Sequence, residues 1–394
     1  MATVTNMELR RIVRAAFFTP GYKGRWGLPL LLEGDPGMGK SAGIEAEAKL
    51  AGMWSQVLLG ACCDPTDFNG YPAPAGDDGR WARMLLPAWL RNVADRQGAG
   101  LLIMDELTCV PAGVQAAMLR FFLEGYMGDY RLPNSVRMIA ACNPVEQAAG
   151  GQDLALPMRN RFGHLNATAI DLDGWADVLR GDFDAAEPID AAALEAQVSD
   201  VWQAEYERAQ AIVLAFLRRR PDLRQKTPKA RSPEADGAWA SLRTWEFAIR
   251  AIASARIHTL TDHERDLFVA AFVGDSTAVE FATWLRDADL PEPADVLDRK
   301  CAWTPNPFRP DQTQAVLDSC TACILNDKDT ARRTERARVL WSLLGAMQDT
   351  PDLALSPATR LSRDPALAAL PEGTNARRVL LTVARAVNMG GLRA

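Results

Sequence analysis

Gly34-Asp35-Pro36-Gly37-Met38-Gly39-Lys40-Ser41 constrains the fold more than any other stretch of this chain, because of what flanks it. Before it runs Leu28-Pro29-Leu30-Leu31-Leu32-Glu33, short and apolar like a strand buried on both faces. After it, from Lys40, the pattern turns helical. A Gly-rich turn of the form G-x-x-x-x-G-K-S between a strand and a helix is the complete P-loop in the context it requires. Glycines allow the turn its dihedrals and let phosphate approach the backbone. Successive N–H groups and the positive end of the helix dipole then form an anion cradle. In such a cradle Lys40 reaches the β- and γ-phosphates of ATP, and Ser41 holds Mg²⁺.

The rest of residues 1–170 repeats the same grammar. Apolar runs at QVLLGAC, LLIMDE, VRMIAACN and HLNATAI alternate with helical patterns, which predicts βα units around a mostly parallel sheet. The LLIMDE run ends in Asp105 and Glu106, the two carboxylates of a Walker B strand. Asp105 would complete the Mg²⁺ shell and Glu106 would polarise the attacking water. The VRMIAACN run ends at Asn143-Pro144. An amide at that strand tip either reaches the γ-phosphate or the water, or caps the turn that follows.

From about Trp175 onward strand signals give way to long amphipathic stretches, such as AALEAQVSDVWQAEYERAQAIVLAFLRRR and SLRTWEFAIRAIASARI. Three consecutive domains are predicted: an α/β nucleotide-binding domain over 1–170, a helical lid over 171–265 with a basic, Pro-rich loop near 221–237, and a helical extension over 266–394. With 394 residues, 48% of them apolar, the chain is long enough for such cores. The first residues carry Glu8, Arg10, Arg11 and Arg14 within their apolar stretch, and no later run approaches a membrane span. Seven cysteines, an odd number in mostly apolar surroundings, fit a reducing cytoplasm. A net charge of −6 disfavours a general nucleic-acid-binding surface, although Arg218, Arg219, Arg220, Lys226, Lys229 and Arg231 cluster locally and read as a solvated linker.

Taken together, these motifs resemble the MoxR branch of AAA+ ATPases through most of residues 28–255. The resemblance implies a P-loop AAA+ core with a five-stranded parallel sheet flanked by helices, a helical lid, and a C-terminal helical extension. It makes Asn143 sensor 1. It also assigns the finger that reaches a neighbouring subunit to Leu156-Pro157-Met158-Arg159-Asn160-Arg161-Phe162, with Arg161 in the finger position and Arg159 as the alternative. Sensor 2 matches Arg243 in Ser241-Leu242-Arg243-Thr244-Trp245, where the family more often has Pro in place of Leu242. The segment Asp64–Gly70, together with the Asp78-Gly79 turn before Arg80-Trp81, resembles the hairpin this clade inserts into helix 2. Glu124–Leu132 fits a shorter hairpin ahead of sensor 1.

The function so implied is a ring-forming Mg-ATP hydrolase, hexameric, that remodels or matures a protein client with a von Willebrand factor A domain partner. Two rivals stand beside it. A nucleic-acid motor would use the basic cluster with Trp81 and Trp89, and a regulatory scaffold would bind ATP with little turnover. The Cys320/Cys323 pair has neither a second pair nor a nearby His, so it reads as two thiols rather than a zinc site. His164, His258 and His263 also lack ligand spacing.

Overall fold

A computed structural model describes residues 2–4, 6–76, 80–148, 150–168, 172–180, 188–229, 232–347, 350–371, 375–379 and 381. The strands are β1 (Ala2–Val4), β2 (Leu30–Glu33), β3 (Trp54–Leu59), β4 (Tyr71–Ala75), β5 (Trp81–Leu85), β6 (Gly100–Asp105), β7 (Tyr126–Met127), β8 (Tyr130–Arg131), β9 (Val136–Cys142) and β10 (Gly163–Ala167). Through the first part of the chain run helices α1 (Asn6–Phe17), α2 (Lys40–Leu50), α3 (Thr66–Asn69), α4 (Ala88–Ala94), α5 (Ala112–Glu124), α6 (Leu156–Arg159) and α7 (Leu172–Arg180). They are followed by α8 (Ala191–Arg219), α9 (Leu242–Ile257), α10 (Asp262–Val273) and α11 (Asp275–Ala288). The last are α12 (Pro293–Leu297), α13 (Pro310–Leu325), α14 (Thr330–Gly345), α15 (Pro351–Ser362) and α16 (Pro365–Ala368). None of the described helices is long and apolar enough to cross a membrane.

All five predicted strands form and pair in parallel, in the order β10-β2-β9-β6-β3. The fold class is therefore the expected α/β arrangement, a parallel sheet flanked by helices and followed by a helical part. Strands β2 and β9 lie at its centre, and every residue of β9 is buried. The sheet has one strand more than expected, because Ala2–Val4 adds beside β10 at the edge. Three residues show no periodicity to read, and only pairing makes them a strand. The two remaining hairpins are antiparallel: β4 with β5 follows the Asp64–Gly70 stretch, in which Thr66–Asn69 is the helix α3 rather than part of the hairpin, and β7 with β8 lies within the predicted Glu124–Leu132. The Asp78-Gly79 turn lies outside the described residues.

The chain divides into two compact units rather than three consecutive segments. One comprises residues 1–201 and 225–279, the other 202–224 and 280–394. In the first, α9 and α10 return to the sheet. Phe272 of α10 packs so closely on Gly163 of β10 that a Cβ there would stand 2.8 Å from its ring. Thr19 Oγ1, after α1, donates to Ala15 O at 2.6 Å and lies 2.8 Å from Ser254 Oγ of α9, hydrogen-bond distance for the serine hydroxyl. Helix α9, predicted within a separate lid, thus belongs to the unit that holds the sheet. In the second unit Trp341, Leu317, Cys320, Leu340 and Leu344 form a buried core, and Trp341 donates to Leu367 O at 2.9 Å. Arg218, Arg219 and Arg220 are not merely solvated: each reaches a carboxylate of this unit, Asp318, Asp311 and Glu280 respectively.

One buried charge holds Glu195, at the start of α8, within the first unit. Arg137, at the start of β9, has a side chain with 0% exposure and pairs with Glu195. It also donates to Phe17 O at 3.2 Å and Ser135 O at 2.6 Å. Burial lowers its pKa, and Glu195 opposes that shift. Removing one partner of a buried pair leaves an uncompensated charge, so Glu195→Ala should cost about 3 kcal/mol. That is the low end of the usual range, because Glu195 keeps 23% of its side chain exposed. Urea unfolding measures it, and an unchanged midpoint would show that Arg137 needs no carboxylate.

Candidate active site

Neighbouring strands β2, β9 and β6 end on the same edge of the sheet. Glu33 stands beside Cys142, and Met104 beside Ala140. The residues that follow these strand ends, the P-loop, Asn143 and Glu106, therefore meet at the carboxyl edge of a parallel sheet, where open α/β folds bind ligands.

Between β2 and α2 the P-loop uses its glycines in two ways. Gly37 and Gly39 have φ of +80° and +79°, the left-handed region, which costs other residues roughly 1–2 kcal/mol. A Cβ at either position would find no atom within 4 Å, so both glycines border open space. Gly34 is enclosed instead: a Cβ there would lie 3.0 Å from Ala167 O and 3.2 Å from Met38 Sδ. Gly39 is also the N-cap of α2, which directs the unpaired N–H groups of the first helical turn into the loop. Asp35 is held from outside by Gln147, whose Nε2 donates to Oδ1 at 3.0 Å. Pro36 and Met38 complete the turn.

Lys40 Nζ donates to Gly34 O at 2.7 Å, to Asp35 O at 2.9 Å and to Asn143 Oδ1 at 2.9 Å. Burial lowers the pKa of the ammonium, and Cys142, Asp105, Asp35 and Glu33 oppose the shift. Ser41 Oγ donates to Asp105 Oδ2 at 2.6 Å. A hydroxyl and a carboxylate oxygen this close are the hard donor pair Mg²⁺ takes from protein, and a glycine turn that opens a helix, with an ammonium beside it, fits a polyphosphate. Asp105 Oδ1 accepts from the backbone N–H of Glu106 at 2.9 Å. Glu106 itself has φ +56° and ψ +41°, a left-handed conformation rare outside glycine and concentrated at functional sites. Beneath it Gly60, just past β3, leaves no room for a side chain: a Cβ would meet Val110 Cγ2 at 2.6 Å and Glu106 O at 2.7 Å.

Arg161 and Arg243 lie together, and their hydrogen-bond partners are not those of the P-loop group. Arg161 Nε donates to Leu119 O at 2.7 Å and Nη1 to Pro157 O. Burial lowers its pKa, and Arg243 lowers it further. Arg243 Nη1 donates to Asn160 Oδ1 at 3.3 Å. Asn160 also meets Ser241 Oγ, the residue whose side chain caps α9 in a capping box with Thr244. Arg159 is occupied elsewhere: only 4% exposed, it donates to Asp236 O and to Leu154 O. Sequence reading missed Asn160, although its place between two arginines of a recognised motif was a signal. It also missed Gln147, Gly60, Thr108 and Gln115, which carry no motif at all. Of the aromatics that would serve a nucleic-acid groove, Trp81 is 74% exposed, while Trp89 packs against Phe68 and Phe121.

No family model matches the chain. A stretch of 169 residues, 41% of the chain, is 31% identical to midasin of Giardia intestinalis. The chain spans only 3% of that relative's length. Among solved structures, a protein described as a "putative ATPase" from Cytophaga hutchinsonii is similar over 71% of this chain and 81% of its own, with 19% identity and a TM-score of 0.44.

Proposed function

We propose that this chain is a Mg-ATP hydrolase of the AAA+ type, MoxR-like in its motifs. It would work in the cytoplasm as a ring of six that remodels a protein client with a von Willebrand factor A domain partner. The observation that carries the reading is the meeting of Lys40, Asn143, Ser41 and Asp105 at the ends of β2, β9 and β6. Bound Mg²⁺ supplies charge neutralisation at the phosphates. The loop N–H groups and Lys40 bind and orient the polyphosphate, and Ser41 with Asp105 holds the metal. Glu106 polarises the attacking water, and Asn143 orients that water or the γ-phosphate.

Arg161 is read as the finger that acts on the site of an adjacent subunit, and Arg243 as the sensor 2 cation beside it. Two guanidiniums side by side favour an anion, and their hydrogen bonds among the described residues all go to groups outside the P-loop. The burial of Arg159 favours Arg161 as the finger. The carboxylate partners of Arg218, Arg219 and Arg220 weaken the nucleic-acid alternative.

The test is phosphate release by the purified chain with and without Mg²⁺, together with the mass of the particles that Glu106→Gln forms in Mg-ATP. Magnesium-dependent release and a closed assembly of six are expected. A monomer that releases no phosphate would sink the reading.

A further inference from the structure

Helix α5 touches both halves of this chemistry. Its first residues follow Val110, which closes the short turn Leu107–Cys109 after Glu106. One turn into the helix lies Gln115, an amide only 2% exposed. Its Nε2 donates to Val110 O at 3.1 Å and to Asp153 O at 3.4 Å, and its Oε1 accepts from Ala155 N at 2.9 Å. A single side chain thus joins the end of the Glu106 turn to the segment that leads into α6 and Arg161. Four residues further on, and so on the same helix face, the carbonyl of Leu119 accepts from Arg161 Nε at 2.7 Å. Thr108 makes a parallel link: its Oγ1 donates to Asn143 O at 3.0 Å, and its carbonyl accepts from Gln152 N at 2.8 Å.

We infer that Gln115 is a positioning residue that joins a chain's own Glu106 turn to the segment leading to Arg161, and so sets where that chain presents its finger to the next. The inference rests on the trans-acting reading of Arg161. A buried amide that only fills hydrogen bonds would need no particular partners. This one uses all three bonds on the backbone of the two segments it joins, and the helix carrying it also holds the guanidinium. Without the amide, Val110 is no longer held to Asp153 and Ala155, and the segment leading through α6 to Arg161 loses that support.

The experiment separates this role from simple packing by placing the change in a subunit whose own site is dead. An acceptor subunit carries Arg161→Ala. One donor carries Lys40→Ala, and a second donor carries Lys40→Ala with Gln115→Met. Assemblies of matched composition are compared for phosphate release, KM for ATP and melting temperature. The second donor should restore between about ten- and a hundredfold less turnover than the first, with the acceptor's KM unchanged, because only the finger is misplaced. Equal restored turnover would overturn the inference while leaving the trans reading intact. No restoration by the first donor would overturn both. If Gln115→Met fails to fold, Gln115→Glu keeps the acceptor for Ala155 N and should give an intermediate loss; failure of both to fold would assign Gln115 to structure alone.

Discussion

Arg161→Ala should lower turnover about 10³- to 10⁵-fold while leaving ATP affinity nearly unchanged, the range over which a finger supplied in trans acts on phosphoryl transfer. Its charge matters only as negative charge shifts in the transition state, so the ground state loses little. The decisive measurement mixes Arg161→Ala subunits with Lys40→Ala subunits, each inactive alone. Where an intact P-loop meets an intact finger, some phosphate release should return. Continued inactivity in verified mixed assemblies, or full-rate hydrolysis by a strict monomer, would refute the trans assignment. Arg159→Ala makes the control. With its guanidinium buried against Asp236 O and Leu154 O, it should lower the melting temperature more than it lowers the rate per folded site.

Lys40→Ala and Glu106→Gln should separate binding from chemistry. Without its ammonium the loop loses the group that neutralises the β- and γ-phosphates, and nucleotide binding should disappear in calorimetry. Glu106→Gln keeps the cradle and the Ser41–Asp105 pair, so it should bind Mg-ATP as wild type does while turning over about 10²- to 10⁴-fold more slowly. Equal ATP affinity for Lys40→Ala and wild type would remove the phosphate assignment. A Glu106→Gln protein that hydrolyses at the normal rate would move the water-handling role to another group. The same variant, held in ATP, is the bait for identifying the client.

What could be read from the sequence was whatever depends on neighbours in the chain. Strands β2, β3, β6, β9 and β10 were legible because each is a compact apolar run bounded by turn residues. The P-loop was legible because its spacing encodes its dihedrals. Asp105, Glu106 and Asn143 followed from their places at strand ends. The rest depends on residues far apart in sequence. β1 is a strand only because β10 lies beside it. The return of α9 and α10 to the sheet rests on Thr19 with Ser254 and on Phe272 against Gly163, pairs that no local pattern announces. Arg218 to Arg220 looked like an unpaired basic run because their carboxylates come from Asp311, Asp318 and Glu280. Gln115 looked like an ordinary helical residue, since its partners are backbone groups without identity in the sequence.

The three bonds of Lys40 make nucleotide affinity a competition. An ammonium has three N–H donors, and here all are committed, two to carbonyls of its own loop and one to Asn143 Oδ1 from a different strand. Any phosphate oxygen it accepts must displace one of these. The loop carbonyls move with the lysine, whereas Asn143 is fixed to β9 and, through its carbonyl, to Thr108. Asn143 is therefore the partner most readily exchanged. The measured binding strength is then a difference, what phosphate contributes to the ammonium less what the amide gives up. The freed Oδ1 becomes an acceptor at the site in the same event, so occupancy of the loop and availability of the amide are one equilibrium seen from two side chains.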